Sequence, residues 1–347
     1  MPRFKATRRR DTATDIARPV GGSGASDRLV AAKRPRIGLA LGGGGARGLA
    51  HIPILEAFDE LGLKPDIIAG TSIGAIFGAA YASGLSGAEI RAHTQEVLTQ
   101  RFSLLRELFA ARAQSVSGLM GLFAGRSALL DPNALLDIVL PRRLARDFSE
   151  LVIPLKVVAT DFYLQEPVVF DKGPVRRAVA ASMALPVIFQ PVVVDGRALI
   201  DGGLANPLPF DLLKEDADIV VAIDVSGAPT PMADRDHPTA FQALFSSAFI
   251  FERTIVREKL KSGQPDIFIE GGTSHFQVLD FLKVGEVLAA AEPAKARLKQ
   301  QLARILASET LPVLAPPVDA PAIAPPARGR RPLLSRIKKG VNTADAE

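Results

Sequence analysis

Two glycine-rich stretches contain the residues of this chain that are best suited to chemistry. The first reads GGGGARG from Gly42 to Gly48 and joins an apolar, strand-like run to a helix-like run. Bare N–H groups at the start of a helix can hold an anion, because the helix N-terminus carries a partial positive charge. The second, GTSIG at residues 70–74, is a G-x-S-x-G motif at a predicted strand-to-helix junction, where a sharp turn exposes the serine hydroxyl.

The glycine run also has to be compared with two nucleotide-binding motifs. No Lys-Ser/Thr pair follows it, so it is not a Walker loop. Gly43, Gly45 and Gly48 do have the G-x-G-x-x-G spacing of a dinucleotide site. Such a site also needs an acidic residue at the end of the second strand to hold the ribose, and this chain has GTS at 70–72 in that place. The sequence therefore disfavours a dinucleotide.

A site for acyl transfer explains both stretches together. In a parallel unit the ends of adjacent strands lie side by side, so the N–H groups near Gly43–Gly45 are expected to face the Ser72 hydroxyl. A nucleophile beside N–H donors suits acyl transfer, because the donors stabilise the oxyanion that exists only during the reaction. The alternative for Ser72 is an ordinary helix N-cap in a tight turn.

A serine nucleophile needs a base, and the sequence leaves two arrangements open. The chain has four histidines, at positions 51, 93, 237 and 275. The order Ser72, Asp201, His275 suits an α/β-hydrolase triad, with His237 as the other candidate base. Asp201 alone could also serve, because it ends a predicted strand and enters Gly202-Gly203, where a carboxylate can lean over a site. An ordinary Asp-Gly turn is the alternative there.

The elements that must position these residues alternate between strand and helix. Strands are predicted at 36–41 and 66–70, and helices at 47–63 and 72–83. This order predicts parallel strands with helices on the sheet faces, which is an α/β fold. Further strands are predicted at 153–162, 166–171, 197–203 and 218–227, further helices at 175–185 and 285–308, and a core helix pair or an apolar flap at 102–124.

Charge and composition divide the 347 residues into a core and two basic ends. Residues 1–36 carry a net charge of +7 and residues 312–347 a net charge of +3, so the part between them is −5 within a total of +5. We predict a disordered leader at 1–35, one domain at 36–310 and a Pro/Ala-rich disordered tail at 311–347. The acidic core argues against nucleic acid as a partner, whereas the basic ends suit weak contact with an anionic membrane.

Several classes of protein are excluded or disfavoured by what the sequence lacks. It has no cysteine, which excludes disulfides and thiolate chemistry. No His/Asp/Glu cluster has metal-ligand spacing, so neither a metal nor another cofactor is expected. No apolar run reaches the ~20 residues of a spanning helix, and the N-terminus lacks the apolar segment of a signal peptide. We expect a cytoplasmic protein with peripheral contact to a membrane.

Taken together, the motifs resemble the signature blocks of the patatin-like phospholipases. The blocks are GGGARG at 43–48, GTSIG at 70–74 and DGG at 201–203. ASMALPVIFQP at 181–191 resembles the segment that precedes the family's catalytic acid, and VATD at 158–161 is similar to bacterial members. The resemblance covers about residues 36–225 and neither end of the chain.

This resemblance implies a three-layer α/β/α sandwich with a mainly parallel central sheet and a Ser–Asp dyad without histidine. It implies that Ser72 is the nucleophile and Asp201 the base. The implied oxyanion hole consists of the N–H groups of Gly43, Gly44 and Gly45, with Arg47 as a supporting cation. The implied substrates are fatty-acyl esters of phospholipids or lysophospholipids. A lipid-binding regulatory protein with little turnover is the alternative from another functional class.

Overall fold

The computed structural model of the chain describes residues 34–100, 130–227 and 240–309, which form a sheet flanked by helices. The strands are β1 (Ile37–Leu41), β2 (Ile67–Thr71), β3 (Leu155–Asp161), β4 (Pro167–Phe170), β5 (Val192–Val194), β6 (Arg197–Asp201), β7 (Ile219–Asp224) and β8 (Ile267–Glu270). The helices are α1 (His51–Glu60), α2 (Ile73–Ala82), α3 (Gly87–Gln100), α4 (Pro132–Val139), α5 (Val175–Ser182), α6 (Ala240–Ser262) and α7 (Val284–Glu309). Short 3-10 helices include Gly45–Ala50 and Gly202–Leu204.

The central strands of the sheet are parallel, and they are buried along their whole length. β1 reads IGLAL and β2 reads IIAGT, and every residue of both strands is buried. Continuous apolar runs of this kind are typical of parallel strands covered on both faces. The strand order is β5-β6-β3-β2-β1-β7-β8, with β4 also paired to β3. The strands from β3 to β8 along this order are parallel, and β4, β5 and β6 are antiparallel, so the predicted, mainly parallel sheet is confirmed.

Helices cover both faces of the sheet and give the three layers that the family resemblance implies. One face carries the larger core cluster, to which α1, α2, α5 and α7 contribute. The opposite face packs against Phe210 and Leu213 of a short 3-10 helix and against Val256 of α6. The fold class predicted from the sequence is therefore confirmed.

Strands β2 and β6 lie end to end along the same edge of β3. Thr71 at the end of β2 pairs with Val158, and Asp201 at the end of β6 pairs with Ala159, the next residue of β3. β4 occupies the other edge of β3, because it pairs with the same central residues of that strand. Since β6 runs antiparallel to β3, the two strands end at adjacent positions. This register brings Ser72, the residue after Thr71, next to Asp201.

The loop of glycines that follows β1, Gly42–Gly45, is called the glycine loop and lies on the other side of Ser72. Leu41 at the end of β1 pairs with Gly70 of β2, so the chain that follows β1 passes beside Ser72. The ends of β1, β2 and β6 therefore converge at one point of the sheet.

Most of the predicted elements are present, with ends shifted by a few residues. No range was predicted for α3, α4, α6, β5 or β8. The greater part of the predicted leader (1–33), the predicted flap (102–124) and the predicted tail (311–347) lie outside the described residues. Of the helices in the described ranges, none combines the length and the apolar character that crossing a bilayer requires.

Candidate active site

Ser72 occupies a strained turn between β2 and α2. Its φ angle is 55° and its ψ angle is −120°, a conformation that a residue with a side chain rarely adopts. The Ser72 N–H donates to the hydroxyl of Ser182 at 2.8 Å, and that hydroxyl donates to the carbonyl of Val158 at 2.5 Å. The turn places the Ser72 side chain at the wall of a cavity instead of along the helix.

The hydroxyl of Ser72 donates to Oδ2 of Asp201 at 2.7 Å. The other carboxylate oxygen, Oδ1, accepts the N–H of Gly203 at 2.8 Å. The Asp201 backbone is held as well, because its carbonyl accepts the Thr160 hydroxyl at 2.8 Å and its N–H donates to Ala184 at 3.0 Å. Asp201 is thus fixed from both sides with one oxygen directed at the serine.

Burial gives Asp201 the basicity that an exposed aspartate lacks. Asp201 is only 3% exposed. Burial raises the pKa of Asp201 to about 6, although the hydrogen bonds from Gly203 and Ser72 act in the opposite direction. A carboxylate with this pKa can accept a proton near neutral pH and is still ionised there.

The structure corrects the expectation for one residue of the glycine loop. The N–H of Gly43 donates to the carbonyl of Pro207 at 2.9 Å, so this N–H is not free to hold an oxyanion. Gly44 and Gly45 differ from Gly43 in two respects. Both line the cavity that contains Ser72, and neither N–H donates to another residue within the described ranges. The array of available donors is therefore one residue shorter than the resemblance implies.

Gly44 must be glycine because the loop passes very close to the end of β7. A Cβ atom at Gly44 would collide with the backbone carbonyl of Val225. A Cβ atom at Gly43 would be tolerated, since its nearest neighbours would be Ser72 Cβ at 3.5 Å and Thr71 at 3.7 Å. A side chain at Gly44 would therefore displace the loop or the Val225 backbone, whereas a methyl group at Gly43 would fit.

Arg47 stabilises the glycine loop through a hydrogen bond to its backbone. Its Nε donates to the carbonyl of Gly44 at 3.2 Å, and its Cζ lies 5.5 Å from the centre of the Phe249 ring. Carbonyl and N–H point in opposite directions across a trans peptide, so this bond orients the N–H of Gly45 away from Arg47. Arg47 is buried but does not line the cavity. Burial lowers the pKa of Arg47, and the charge of Glu252 opposes this effect.

The histidines are placed differently from the base of a triad. His51 is fully buried, and its Nε2 lies 2.8 Å from the carbonyl of Gly42, so it supports the loop. Burial lowers the pKa of His51 to about 4, so this ring is neutral at physiological pH. His275 is exposed and does not line the cavity. His237 lies outside the described residues. Ser72 and Asp201 contact each other without an intervening imidazole.

The cavity beside Ser72 has a volume of about 370 Å³ and a mainly apolar wall. Its apolar lining comes from α2, α3, α4 and the segments around 185 and 280, and includes Ile73, Ile76, Phe77, Val97, Leu98, Leu135, Val139, Leu185, Ile188, Leu279 and Leu282. A cavity of this size and character suits an alkyl chain.

Sequence reasoning missed three residues that hold or face the site. Ser182 belongs to the 181–191 segment and His51 to a predicted helix, and neither position by itself indicates a role at the site. Glu252 on α6 was not considered, although an acid inside the apolar stretch FIFER at 249–253 is an unusual pattern. A buried acid of this kind could have been suspected because Lys, Glu, Arg and Asp are almost never fully buried unless paired.

A family model and a solved structure are similar to this chain. A family model described as patatin-like phospholipase matches residues 39–214, half of the chain, and this range includes both Ser72 and Asp201. VipD from Legionella pneumophila is similar in structure over 80% of this chain and 67% of that chain, at 16% identity and with a TM-score of 0.42.

Curated relatives share the same region at higher identity. An uncharacterised NTE family protein of Mycobacterium tuberculosis is 38% identical over 202 residues, which are 58% of this chain and 52% of the relative. Human patatin-like phospholipase domain-containing protein 6 is 34% identical over 194 residues, 54% of this chain and 13% of that protein. The chain therefore spans about half of the mycobacterial relative and a small part of the human one.

Proposed function

This chain belongs to the patatin-like phospholipase family, and from that premise we propose that it is a serine acyl hydrolase acting on fatty-acyl esters of phospholipids or lysophospholipids. The observation that carries the proposal is the 2.7 Å contact between Ser72 Oγ and Asp201 Oδ2 at the wall of an apolar cavity. Hydrolysis of a lipid ester requires an activated nucleophile next to room for an alkyl chain, and both features support the assignment.

In the proposed reaction Ser72 and Asp201 act as a dyad. Ser72 Oγ forms a bond to the acyl carbon while its proton passes to Asp201 Oδ2. The carbonyl electron pair moves onto the oxygen and forms an oxyanion. When this intermediate collapses, the bond to the alcohol breaks and the alcohol leaves with the proton from Asp201. A water molecule, activated by the same carboxylate, then hydrolyses the acyl-enzyme and releases the fatty acid.

The N–H groups of Gly44 and Gly45 are the proposed donors to the oxyanion. Their place in the cavity wall and the bond between Arg47 and the Gly44 carbonyl support this role. One well-placed donor typically contributes about 10²–10³-fold to turnover in acyl transfer. The pKa of about 6 for Asp201 supports its role as the base.

Contact with a membrane surface is a further part of the proposal. Most of the two predicted basic ends lies outside the described residues, but an apolar turn lies on the active-site edge of the sheet. Phe162, Tyr163 and Leu164 follow β3 directly and are 53%, 78% and 63% exposed. The carboxylate of Asp161 accepts the N–H groups of Tyr163 and Leu164, each at 2.9 Å, which fixes the turn. Phe162 lies three residues beyond the level of Asp201, or ~10 Å along the strand.

The proposal is tested by measuring fatty acid released from lysophosphatidylcholine, diacyl phosphatidylcholine and a short p-nitrophenyl ester. We expect turnover of at least one lipid, and a loss of about 10³-fold or more in Ser72→Ala. Ser262→Ala is the matched control, because its hydroxyl is exposed at the end of α6 and bonds only to its own helix. Tight lipid binding without Ser72-dependent release of fatty acid would favour a lipid-binding protein instead.

A further inference from the structure

A second carboxyl group faces the Ser72–Asp201 pair. Glu252 lies on α6, is 3% exposed and lines the same cavity as the pair. Apart from Ser72, Asp201 and Thr94, the other side chains that line this cavity in the described part of the chain are apolar. Binding of an alkyl chain does not require a buried acid in such a wall. The role of Glu252 is therefore sought in its relation to the Ser72–Asp201 pair.

Glu252 and Asp201 approach each other across Gly203. A Cβ atom at Gly203 would collide with Oε1 of Glu252 and would stand 3.1 Å from Oδ1 of Asp201. The glycine therefore leaves the space in which the two carboxyl groups come together. A side chain at this position would displace the Glu252 carboxyl group.

The charges around Glu252 do not form an ion pair with it. Asp201 faces it from β6, Arg47 from the 3-10 helix Gly45–Ala50, and Asp224 from the end of β7. Within the described residues the Glu252 carboxyl makes no hydrogen bond or ion pair. Nη2 of Arg47 is likewise without a hydrogen-bond partner there. A buried carboxylate that lacks such partners is costly, so burial favours the protonated form of Glu252. Burial raises the pKa of Glu252 well above its usual range, the charge of Asp201 adds to this effect, and Arg47 opposes it.

Of the two carboxyl groups, Asp201 is the one that ionises first. Its oxygens accept hydrogen bonds from the Ser72 hydroxyl and the Gly203 N–H, and both bonds stabilise the charged form. Glu252 has no comparable donor among the described residues. Two neighbouring buried carboxyl groups then share one negative charge, as like charges at short distance require.

We propose that Glu252 is a positioning residue of the dyad: it holds a second proton beside Asp201, so that the pair carries a single negative charge, and loss of this proton sets the alkaline limit of turnover. The proposal rests on the function proposed above. During acylation the negative charge moves from Asp201 to the oxyanion near Gly44 and Gly45. A second negative charge on Glu252 would repel the Asp201 carboxylate across Gly203 and move it from the position in which Oδ2 contacts the Ser72 hydroxyl, because like charges repel strongly in a cavity from which water is excluded.

The test is the pH profile of kcat/KM for a soluble short-chain ester from about pH 6 to about pH 10, with the full-length protein. We expect the wild type to lose about tenfold per pH unit above an alkaline midpoint, as ionisation of one group requires. Glu252→Gln keeps the shape and neutral charge of the protonated acid, so its kcat/KM is expected to vary by no more than about twofold between about pH 7 and about pH 10, above the acid limb of Asp201. Glu258→Gln is the matched control, because Glu258 is exposed on the same helix and pairs with Lys261.

An alkaline limb in Glu252→Gln that matches the wild type would overturn the proposal, and so would a wild-type profile that stays flat to about pH 10. Failure of the function itself is recognised separately, since the wild type would then show no turnover that Ser72→Ala removes.

A second measurement, chemical denaturation as a function of pH, does not depend on turnover. If folded Glu252 keeps a proton that the unfolded chain releases near the ordinary glutamate pKa of 4.5, the free energy of unfolding falls as the pH rises. Above about pH 8 the contributions of Asp201 and His51 are complete, because both titrate at lower pH in the folded and the unfolded chain. We therefore expect the stability of the wild type and Glu258→Gln to decline further above this pH, and that of Glu252→Gln to decline less. Equal declines in all three proteins would contradict a proton held on Glu252.

Discussion

The hydroxyl of Ser182 accepts the backbone N–H of Ser72 at 2.8 Å. This bond connects the end of α5 to the strained residue at the start of α2, whose φ angle is 55°. Ser182 itself is fully buried and donates to Val158 on β3. The strained backbone of the proposed nucleophile is thus held by a side chain that follows it by 110 residues.

Ser182→Ala is therefore expected to affect both stability and turnover. Removing the hydroxyl leaves the Ser72 N–H unpaired, which costs about 1–3 kcal/mol of unfolding free energy. The turn can then relax and move Ser72 Oγ away from Asp201, so kcat should fall by about tenfold or more. Urea denaturation and ester hydrolysis measure the two effects, with Ser262→Ala as the control. A variant that is less stable but keeps the wild-type kcat would show that Ser182 does not orient the serine.

Gly44 and Gly43 are predicted to respond differently to a methyl group. In Gly44→Ala the Cβ collides with the Val225 carbonyl, which displaces the loop and the proposed oxyanion donors, so turnover of a p-nitrophenyl ester should fall by about 10²-fold or more. In Gly43→Ala the Cβ has ordinary contacts and the N–H is already bound to Pro207, so the loss should stay below about tenfold. Circular dichroism and thermal denaturation establish that both variants are folded. The reverse order of activities would show that the oxyanion donors are assigned wrongly.

The acid limb of the pH profile should report Asp201. Its pKa is raised to about 6, and only the ionised carboxylate can accept the serine proton. Below that pH, kcat/KM should fall by about tenfold per unit. A histidine base would give a limb in a similar range, so His275→Gln is measured in parallel. We expect this variant to keep the limb and to retain turnover within about tenfold of the wild type. A limb that disappears in His275→Gln would identify that histidine as the base.

The apolar turn after β3 is predicted to insert into a lipid surface. Replacing Phe162, Tyr163 and Leu164 together by serine should lower sedimentation with phosphatidylcholine vesicles and turnover of vesicle-bound phospholipid. Hydrolysis of a soluble short-chain ester should be unchanged, because none of the three residues lines the cavity. Val152→Ser is the control, since Val152 is 74% exposed but precedes β3, at the opposite edge of the sheet. Equal vesicle binding by the triple variant and the wild type would show that this turn does not contact the membrane.

The fold could be predicted largely from local patterns. The buried runs IGLAL and DIIAG (66–70) and the two glycine motifs between them and the following helices are each read from a few neighbouring residues. Antiparallel β5 and β6 and the position of α6 depend on contacts that are distant in sequence, and no local period encodes them.

The same difference explains what the sequence predicted about the site. Ser72 and Asp201 stand in motifs, and the structure brings them together. The role of the Gly43 N–H was mispredicted because its partner, Pro207, is far away in the sequence. Glu252 was missed because its significance comes from the space above Gly203, which is a property of tertiary packing.

Activation of Ser72 as a nucleophile by Asp201 underlies the whole proposed mechanism, and covalent labelling tests it most directly. The full-length protein is treated with a fluorophosphonate, and the modified residue is identified by mass spectrometry. We predict one adduct on Ser72, absent in Ser72→Ala and formed much more slowly in Asp201→Asn, with Ser262→Ala labelled like the wild type. A folded wild-type protein that is not labelled, or an adduct on another residue that persists in Ser72→Ala, would contradict this mechanism.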